Sequence, residues 1–403
     1  ELGLDGSLRP IRGALSVAAE CAKAGILTLV VPSASAAEAS VVPGMTILSA
    51  ANLGDIITHF NGGRSLERGV VDPDELLRGN VSDGLDMRDV RGQEVAKRVL
   101  EIAAAGSHNV LFLGPPGSGK TMLARRLAGI LPPLTLDEAL ESTRVHSVAG
   151  TLTSGAPLVS QRPFRAPHHT VSDAGLVGGG SPIRPGEVSL AHNGVLFLDE
   201  LAEFRRNVLD VLRQPLEAGF IHLSRAGSAV RFPARILLVA AMNPCPCGLW
   251  GDGTDRCLCD PTAVQRYMGR VSGPLIDRID LHLQVLRVPF ECLSGDGEGS
   301  STAQIKECVA SARRLQEARF DGVKEVHANG QMRASDLRRW CRPSRAVTQL
   351  LQRAVDRVGL SARSYHRILK VARTIADLEG AEEIRCRDVA EALQYRYLDR
   401  VRW

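Results

Sequence analysis

The sequence predicts an α/β fold followed by a helical carboxyl-terminal domain, and three observations support this prediction. Val110–Leu113 is an apolar run that leads into a glycine-rich segment and then a helical pattern, which is typical of a strand, a loop and a helix. A second apolar run, Val195–Leu198, ends in two carboxylates, at the position where open parallel sheets place their ligand chemistry. Beyond residue 301, apolar residues recur at helical spacing, among them Val347, Leu351, Ile368, Leu369, Ala372 and Ile375.

Composition bounds the possible classes of protein. The chain has 403 residues, of which 44% are hydrophobic, which is enough for roughly two to four domains with ordinary cores. Its apolar runs are far shorter than a bilayer span and Glu1–Leu4 does not resemble a secretory signal, so we expect a cytoplasmic protein with no membrane partner. The net charge of +4 is too small to argue for a polyanionic partner, although residues 331–403 carry sixteen Lys and Arg against nine Asp and Glu.

The pattern of elements divides the chain into four segments. Residues 1–63 alternate strand-like and helical patterns, with a helix predicted at Leu15–Ala24 and a strand at Ile26–Val31. Residues 64–84 are polar and rich in turn formers, which predicts a linker. Residues 85–293 are expected to form the α/β core and residues 302–403 the helical domain. The chain begins without a methionine, so we expect that part of the amino-terminal segment is missing.

The glycine-rich segment Gly114–Thr121 has the pattern GxxxxGK[ST] of a phosphate-binding loop. Its glycines allow backbone conformations that a Cβ would resist, so that successive N–H groups can turn toward the phosphates of ATP. Lys120 is expected to contact the β- and γ-phosphates, and the Thr121 hydroxyl to ligate Mg²⁺. A glycine-rich turn is the alternative, which the strand and helix on either side disfavour. The residues predicted to bind the nucleotide are Gly114, Pro115, Pro116, Gly117, Ser118, Gly119, Lys120 and Thr121.

Polar side chains follow two further strands of the predicted core. Asp199 is expected to hold Mg²⁺ together with Thr121, and Glu200 to orient an attacking water as its base. Asn243 follows the strand Ile236–Ala241, where its amide can hydrogen-bond the water or the γ-phosphate. The alternative is that these are solvated strand ends, which a phosphate loop upstream makes less favourable.

Four cysteines lie within fifteen residues of one another, just after Asn243. Cys245, Cys247, Cys257 and Cys259 supply the four soft ligands that tetrahedral zinc requires, and Pro246 and Gly248 are turn residues. The CxC spacing is narrower than the usual CxxC. The sequence is therefore compatible both with a structural zinc site and with four unligated thiols.

A pair of short strands is predicted at residues 220–232, joined by a glycine-containing turn. Such a hairpin resembles those that line the pore of ring translocases, and this resemblance implies that Arg225 or Arg231 could contact DNA phosphates. The alternative is a packed surface ribbon. Upstream, His168 and His169 with a run of glycines interrupt the usual alternation, and an ordinary turn is favoured over a metal site.

Several motifs together resemble the YifB/ComM family of magnesium-chelatase-like AAA+ ATPases, and the resemblance covers nearly the whole chain. The motifs are Ala103–Asn109, Gly114–Thr121, Arg165–His169, Val177–Gly180, Pro185–Gly194, Met242–Pro244 and Ser272–Asp280. The resemblance implies an AAA+ core with a carboxyl-terminal lid, in which residues 165–193 are similar to the helix-2 insert. It also implies a ring, expected to be a hexamer, with ATP at the subunit interfaces.

The same resemblance implies roles for further polar residues. Asn243 corresponds to sensor 1, Ser361–Ser364 resembles the start of the helix that carries sensor 2 at Arg363, and Arg278 is the candidate arginine finger for the neighbouring nucleotide. A guanidinium suits the last role because its planar fork spreads positive charge over the γ-phosphate. Arg270 is the second candidate, and an unpartnered surface arginine is the alternative for both.

The expected function is an ATP-driven motor on single-stranded or branched DNA, since ComM-like members resemble ring helicases that drive branch migration in the recombination of transforming DNA. The rival expectation is a chelatase-type motor that remodels a protein partner for metal insertion. The stretch Leu2–Gly13, with Ala22–Ile26, also resembles the later half of a Lon-protease-type domain (S5 domain 2-like). Leu15 occupies the place of that family's catalytic lysine, so we do not expect proteolysis.

Overall fold

The computed structural model describes residues 1–78, 84–152, 156–225, 228–253, 256–289, 299–323, 326–396 and 398. Residues 79–83 of the predicted linker, the end of the helical domain after residue 398 and the side chain of Arg225 lie outside this description. Among the described residues, no helix combines the length and the apolar character that crossing a membrane requires.

The amino-terminal segment is a small α/β unit. Its sheet has the order β1-β2-β3, with β1 and β2 parallel and β3 antiparallel to β2. The apolar face of α1, including Leu15, is buried together with Val31 and Ile47. The elements are α1 (Ala14–Lys23), β1 (Thr28–Pro32), α2 (Ser33–Ser40), β2 (Thr46–Ala50), α3 (Leu53–Phe60), β3 (Glu67–Gly69) and α4 (Pro73–Arg78).

The segment predicted as a linker contains two of these elements. Strand β3 pairs with β2 in the register Leu48↔Arg68, and α4 follows it after a short turn. Turn residues at Asn61–Arg64 gave the linker prediction, but they form the connection into an edge strand. Residues 64–78 therefore belong to the amino-terminal unit in the structure.

The central α/β core begins at residue 94 after a short 3₁₀ turn, Met87–Asp89. Its elements are α5 (Glu94–Gly106), β4 (Val110–Leu113), α6 (Lys120–Ile130), α7 (Leu136–Ala149), β5 (Phe164–Arg165), α8 (Asp173–Val177), β6 (Gly178–Gly179), β7 (Arg184–Pro185), α9 (Glu187–Leu190), β8 (Val195–Leu198), α10 (Arg206–Asp210), α11 (Arg213–Ala218), β9 (Phe220–Arg225), β10 (Ser228–Pro233), β11 (Leu237–Met242), α12 (Pro261–Met268), α13 (Gly273–Ile276) and β12 (Leu281–Gln284).

Five parallel strands form the core sheet in the order β12-β4-β11-β8-β5. Every residue of β4, β8 and β11 is buried, as uninterrupted apolar runs predict for strands covered on both faces. Because the strands are parallel, their carboxyl ends share one edge of the sheet, and ligands of such sheets bind at that edge. We call it the carboxyl edge and the other one the amino edge.

Two hairpins project from the core. β6 pairs with β7 inside the segment 165–193 that was expected to be an insert. β9 and β10 pair antiparallel in the register Arg225↔Ser228, which confirms the predicted hairpin.

A short helix precedes the edge strand β12. Residues Gly273–Ile276 form helix α13, and β12 begins at Leu281. Ser272 precedes this helix and Pro274 lies in its first turn, where a proline's missing N–H costs nothing and its fixed φ suits a helix. Arg278 consequently lies between a helix and a strand.

The carboxyl-terminal domain is helical, as predicted. Its helices are α14 (Thr302–Arg319), α15 (Ala334–Trp340), α16 (Arg345–Val358), α17 (Ala362–Leu378) and α18 (Cys386–Gln394). The stripe Ile368, Leu369, Ala372 and Ile375 of α17 is buried in one core with residues of α5 and α14.

Buried polar contacts also join this domain to the core. The His108 ring nitrogen Nε2 lies 2.8 Å from Thr374 Oγ1, and Gln316 donates from Nε2 to the carbonyl of Ala105 at 3.0 Å. Asn329 donates to Asp377 at 2.7 Å within the same cluster.

Candidate nucleotide-binding site

The phosphate loop connects β4 to α6 and takes the backbone conformation that its glycines were expected to allow. Gly117 has φ of 75° and Gly119 of 91°, in the left-handed region that side chains resist. A Cβ on Gly114 would stand 2.1 Å from the carbonyl oxygen of Val285, so only glycine fits beside β12. Helix α6 begins at Lys120, and its amino end adds a positive dipole to the loop.

Lys120 is buried inside the loop. Its ammonium donates to the carbonyl oxygens of Gly114 at 2.7 Å and Pro115 at 2.8 Å, and to Asn243 Oδ1 at 3.3 Å. Burial lowers the pKa of Lys120, and the nearby charge of Asp199 opposes that shift. The contact with Asn243 places the sensor 1 candidate beside the loop.

The pair expected to hold Mg²⁺ is assembled at the carboxyl edge. Thr121 Oγ1 donates to Asp199 Oδ2 at 2.7 Å, although 78 residues separate them. A hydroxyl and a carboxylate at this separation are the hard oxygen ligands that Mg²⁺ takes in proteins. The residues present therefore fit a magnesium nucleotide, with Lys120 as the phosphate cation.

Glu200 lies next to Asp199 in an unusual backbone conformation. Its φ is 53°, one of the positive values at non-glycine residues in the described chain, and its N–H donates to Asp199 Oδ1 at 2.9 Å. Strained backbone of this kind clusters at functional sites. The Glu200 side chain is 57% exposed.

Sequence reasoning missed a partner of Glu200. His169 Nδ1 lies 3.3 Å from Glu200 Oε2, and the His169 ring stands against His168 and the edge of Phe204. His169 follows β5, which neighbours β8 in the sheet, so two histidines just after a strand were the available signal. His169 lies in a turn, as expected, and also contacts Glu200.

Arg278 lies at the amino edge, opposite the phosphate loop. Leu281 pairs with Val110, the first residue of β4, whereas the loop follows the last residue of β4. Four strand residues separate the two positions by about 13 Å along the sheet, so Arg278 does not reach its own phosphate loop. Its guanidinium pairs with Glu217 and donates from Nη1 to the Pro274 carbonyl at 2.5 Å.

Arg363, the sensor 2 candidate, lies beside Arg278. Its Nη1 is 3.8 Å from Asp277 Oδ2, and both arginines line one cavity of about 170 Å³ between the core and α17. Arg270, the second finger candidate, pairs instead with Glu203 at 3.0 Å near the other edge. The structure thus brings Arg278 and Arg363 together and keeps them apart from Lys120, Thr121, Asp199, Glu200 and Asn243.

The four cysteines converge after Asn243. The Cys245 Sγ lies 3.3 Å from that of Cys247 and 3.8 Å from that of Cys257, and all four sulfur atoms lie within 4.8 Å of one another. Four thiolates at Zn–S distances of about 2.3 Å have sulfurs about 3.8 Å apart, so the cluster matches the size of a zinc site. A hydrogen bond from the Leu249 N–H lowers the pKa of Cys247 to about 7, whereas, against a hydrogen bond from the Cys259 N–H, burial and the neighbouring thiols raise the pKa of Cys257 to about 12.

The cysteine loop packs directly on the phosphate loop. Gly248 has φ of 81°, and a Cβ there would stand 2.5 Å from Cδ of Pro116. Pro116 is one of the residues predicted to bind the nucleotide. The cysteine cluster and the phosphate loop therefore share a contact surface in which there is no room for a methyl group.

Two arginines are expected to contact DNA, and of these the structure describes the side chain of Arg231. Its guanidinium carbon lies 3.9 Å from the centroid of the Phe220 ring, across the base of the β9–β10 hairpin. Arg231 is exposed, as a phosphate contact requires, and it also lines the amino edge.

A phosphate loop on an open parallel sheet, a strand-end Asp-Glu pair and a carboxyl-terminal helical domain define the AAA+ class of P-loop proteins. Residues 86–293 match the family model of magnesium chelatase, subunit ChlI, and residues 299–396 match the model of the C-terminal part of that subunit. The chain belongs to the YifB/ComM family of magnesium-chelatase-like AAA+ proteins, which confirms the family inferred from the motifs.

Three relatives illustrate this placement. The chain is 44% identical over 403 residues to competence protein ComM of Haemophilus influenzae, covering all of the chain and 77% of the relative. It is 43% identical over 402 residues to the protein YifB of Salmonella typhimurium, again covering 77% of that protein. A magnesium-chelatase 38 kDa subunit of Rhodobacter capsulatus is 30% identical over 172 residues, which is 38% of the chain and 48% of the subunit.

Proposed function

We propose that this protein is an ATP-driven ring motor acting on DNA, with each ATPase site formed by two chains. The observation that carries this proposal is the separation of Lys120 and Glu200 from Arg278 on opposite edges of one sheet. An ATPase site that needs both sets of groups is completed only when the carboxyl edge of one chain faces the amino edge of another.

At the carboxyl edge, the chain supplies the groups that bind and cleave. The Lys120 ammonium exchanges its carbonyl partners for the β- and γ-phosphates, while Thr121 and Asp199 hold the metal. Bound Mg²⁺ neutralises phosphate charge. Glu200 accepts a proton from the attacking water, and Asn243, already in contact with Lys120, orients the γ-phosphate.

His169 positions the base. Its Nδ1 lies 3.3 Å from Glu200 Oε2, so the imidazole orients the carboxylate that accepts the proton.

At the amino edge, Arg278 and Arg363 act on the nucleotide of the neighbouring chain. Two guanidinium groups there stabilise the negative charge that develops on the transferred phosphoryl group. Arg278 first leaves Glu217, its present partner. A hexameric ring satisfies this head-to-tail arrangement, because a heterologous interface forms a closed ring when its rotation returns to the first chain.

DNA is the proposed substrate. It is supported by the resemblance to a competence protein and by Arg231 on a projecting hairpin, where ring motors contact their threaded strand. The specific activity would be helicase-type branch migration during recombination or natural transformation. The second candidate is a chelatase-type motor that remodels a protein partner, which the similarity to a magnesium-chelatase subunit favours.

ATP turnover measured with and without DNA separates the two candidates. We expect single-stranded and branched DNA to raise the steady-state rate several-fold, with duplex DNA as the comparison. Arg231→Ala should lose most of the stimulation and keep the basal rate, whereas Arg345→Ala, an exposed arginine of α16, should keep both. A rate that none of these DNAs changes would contradict the DNA proposal and favour the chelatase-type motor.

We also propose that the cysteine cluster binds one structural zinc ion. Metal analysis of the purified protein should give about one zinc per chain. The double variant Cys247→Ser/Cys259→Ser should lose the metal, whereas Cys308→Ser, an exposed cysteine outside the cluster, should keep it. A folded wild-type protein without metal would overturn this assignment.

A further inference from the structure

A cavity of about 510 Å³ lies at the amino edge, between the core sheet, the base of the β9–β10 hairpin and the helical domain. Eight arginine and lysine side chains line it, against three carboxylates. Its volume falls in the range of small-molecule sites, about 300–1,000 Å³. The strong excess of cations in one enclosed space is the feature to explain.

The three carboxylates are each engaged by one of the cations. Glu138 pairs with Arg162 at 2.9 Å, Glu217 with Arg278, and Asp280 with Arg367. Within the described parts of the chain, Arg231, Arg235, Arg313 and Lys370 have no carboxylate within 4.0 Å. These four lining cations thus lack an ion-pair partner among the described residues, although Glu138 acts on Arg313 and Asp280 on Lys370 at longer range.

The partial burial of Arg235, Arg313 and Lys370 makes the arrangement costly without a ligand. Arg313 donates to the carbonyls of Ala104 at 3.0 Å and His327 at 3.2 Å, while its buried Nε has no partner among the described residues. The same holds for the Nε atoms of Arg278 and Arg367. Burial, with the charge of Arg162 nearby, lowers the pKa of Arg313 to about 10, and burial also lowers the pKa of Lys370. Desolvated like charges are unfavourable until an anion joins them.

We propose that this cavity is an anion site, separate from the phosphate loop, which binds phosphate groups through Arg235, Arg313 and Lys370. Guanidinium forks match phosphate oxygens in pairs, and a lysine ammonium adds a point charge. Phosphate can reach the cavity as part of a nucleic acid strand or as a free polyphosphate. Arg231 lies both in the lining of the cavity and on the hairpin. A nucleic acid strand would therefore meet cations along both surfaces.

The test uses the full chain carrying Lys120→Ala, so that the phosphate loop does not contribute binding. Tripolyphosphate binding is measured by calorimetry and binding of a single-stranded oligonucleotide by fluorescence anisotropy. Lys370→Met and Arg235→Met are each added, with Arg345→Met on the exposed face of α16 as the matched control. Neither tested cation belongs to the proposed ATPase machinery, so the outcome does not depend on turnover.

Removing one charged phosphate contact should weaken binding about tenfold at low salt. Loss of tripolyphosphate binding alone identifies a small-anion site. Weaker oligonucleotide binding identifies a site for a nucleic acid strand. The slope of the logarithm of the binding constant against the logarithm of salt concentration should then be smaller by about 0.7. Thermal melting in tripolyphosphate provides a second readout, because an anion bound to the native state raises the melting temperature of the Lys120→Ala parent more than that of the variants. If the parent binds neither anion, or if folded variants bind both as the parent does, the proposal is wrong.

Discussion

The two edges of the core sheet differ in both charge and completeness. The carboxyl edge holds a phosphate loop, two carboxylates and an amide already in mutual contact, as Lys120 with Asn243 and Thr121 with Asp199 show. The amino edge holds arginines, of which Arg278 is paired with a carboxylate of its own chain. In the proposed ring, one edge binds a nucleotide and the other supplies cations to the nucleotide of the neighbouring chain. Under that proposal, a single chain carries two halves of different active sites.

The largest effect is expected from removing the amino-edge arginine. Arg278→Ala should lower ATP turnover by about 10³-fold or more, as loss of an arginine finger does, while ATP binding persists. Mixing it with Lys120→Ala chains should restore part of the activity at hybrid interfaces. Arg270→Ala is the control, since Arg270 pairs with Glu203. If co-assembled mixtures recover nothing, or if Arg270→Ala is the more damaged variant, the assignment to Arg278 is incorrect.

The second-largest effect is expected from removing the catalytic base at the carboxyl edge. Glu200→Gln keeps the side-chain size and the Asp199 contacts while removing the proton acceptor, so hydrolysis should slow by about 10²- to 10⁴-fold with ATP still bound. Single-turnover hydrolysis and retained nucleotide are the measurements. Glu203→Gln is the control, because Glu203 lies three residues away and pairs with Arg270. Equal losses in the two variants would argue against Glu200 as the base.

A smaller effect is expected where the cysteine loop meets the phosphate loop. Gly248→Ala places a methyl group against Pro116 and should weaken ATP binding about tenfold, equivalent to about 1.4 kcal/mol. Gly253→Ala is a matched control, because Gly253 has a similar φ of 80° but open space around it. ATP affinity and melting temperature are measured for both. Equal effects would mean that backbone strain, and not the contact with Pro116, is responsible.

The smallest effect concerns the protonation of Lys120. Burial lowers its pKa, and ATP phosphates favour the charged form, so ATP affinity should fall a few-fold as pH rises through that lowered pKa. An ordinary lysine, with a pKa of about 10.4, would hold its charge to higher pH. Binding should take up protons at alkaline pH, which calorimetry in buffers of different ionisation enthalpy detects. Lys120→Arg keeps the charge and should flatten the profile; an unchanged profile would assign the pH dependence elsewhere.

The sequence was informative where function depends on local pattern. The strand, loop and helix around Gly114–Thr121 and the buried strand Val195–Leu198 were predictable because uninterrupted apolar runs and glycine spacing are properties of short segments. The hairpin and the helical domain were predictable for the same reason. The structure agrees with the sequence at each of these elements.

What could not be predicted depends on contacts between distant segments. Strand β3 forms because β2 offers it an edge, and a three-residue strand has no periodicity of its own. The contact of His169 with Glu200 requires knowing that β5 neighbours β8. The cations that line the cavity at the amino edge come from positions 162 to 370. No local pattern reveals that they lie together.

The buried polar cluster between the core and the helical domain has a mechanical consequence. Rotation of α14 and α17 relative to the core would separate Gln316 of α14 from the Ala105 carbonyl and Thr374 of α17 from His108, leaving buried polar groups without partners. Each such loss costs about 1–3 kcal/mol, which resists gradual bending within a chain. We therefore expect core and lid to move as one rigid body, so that the stroke powered by hydrolysis is a change of angle between neighbouring chains.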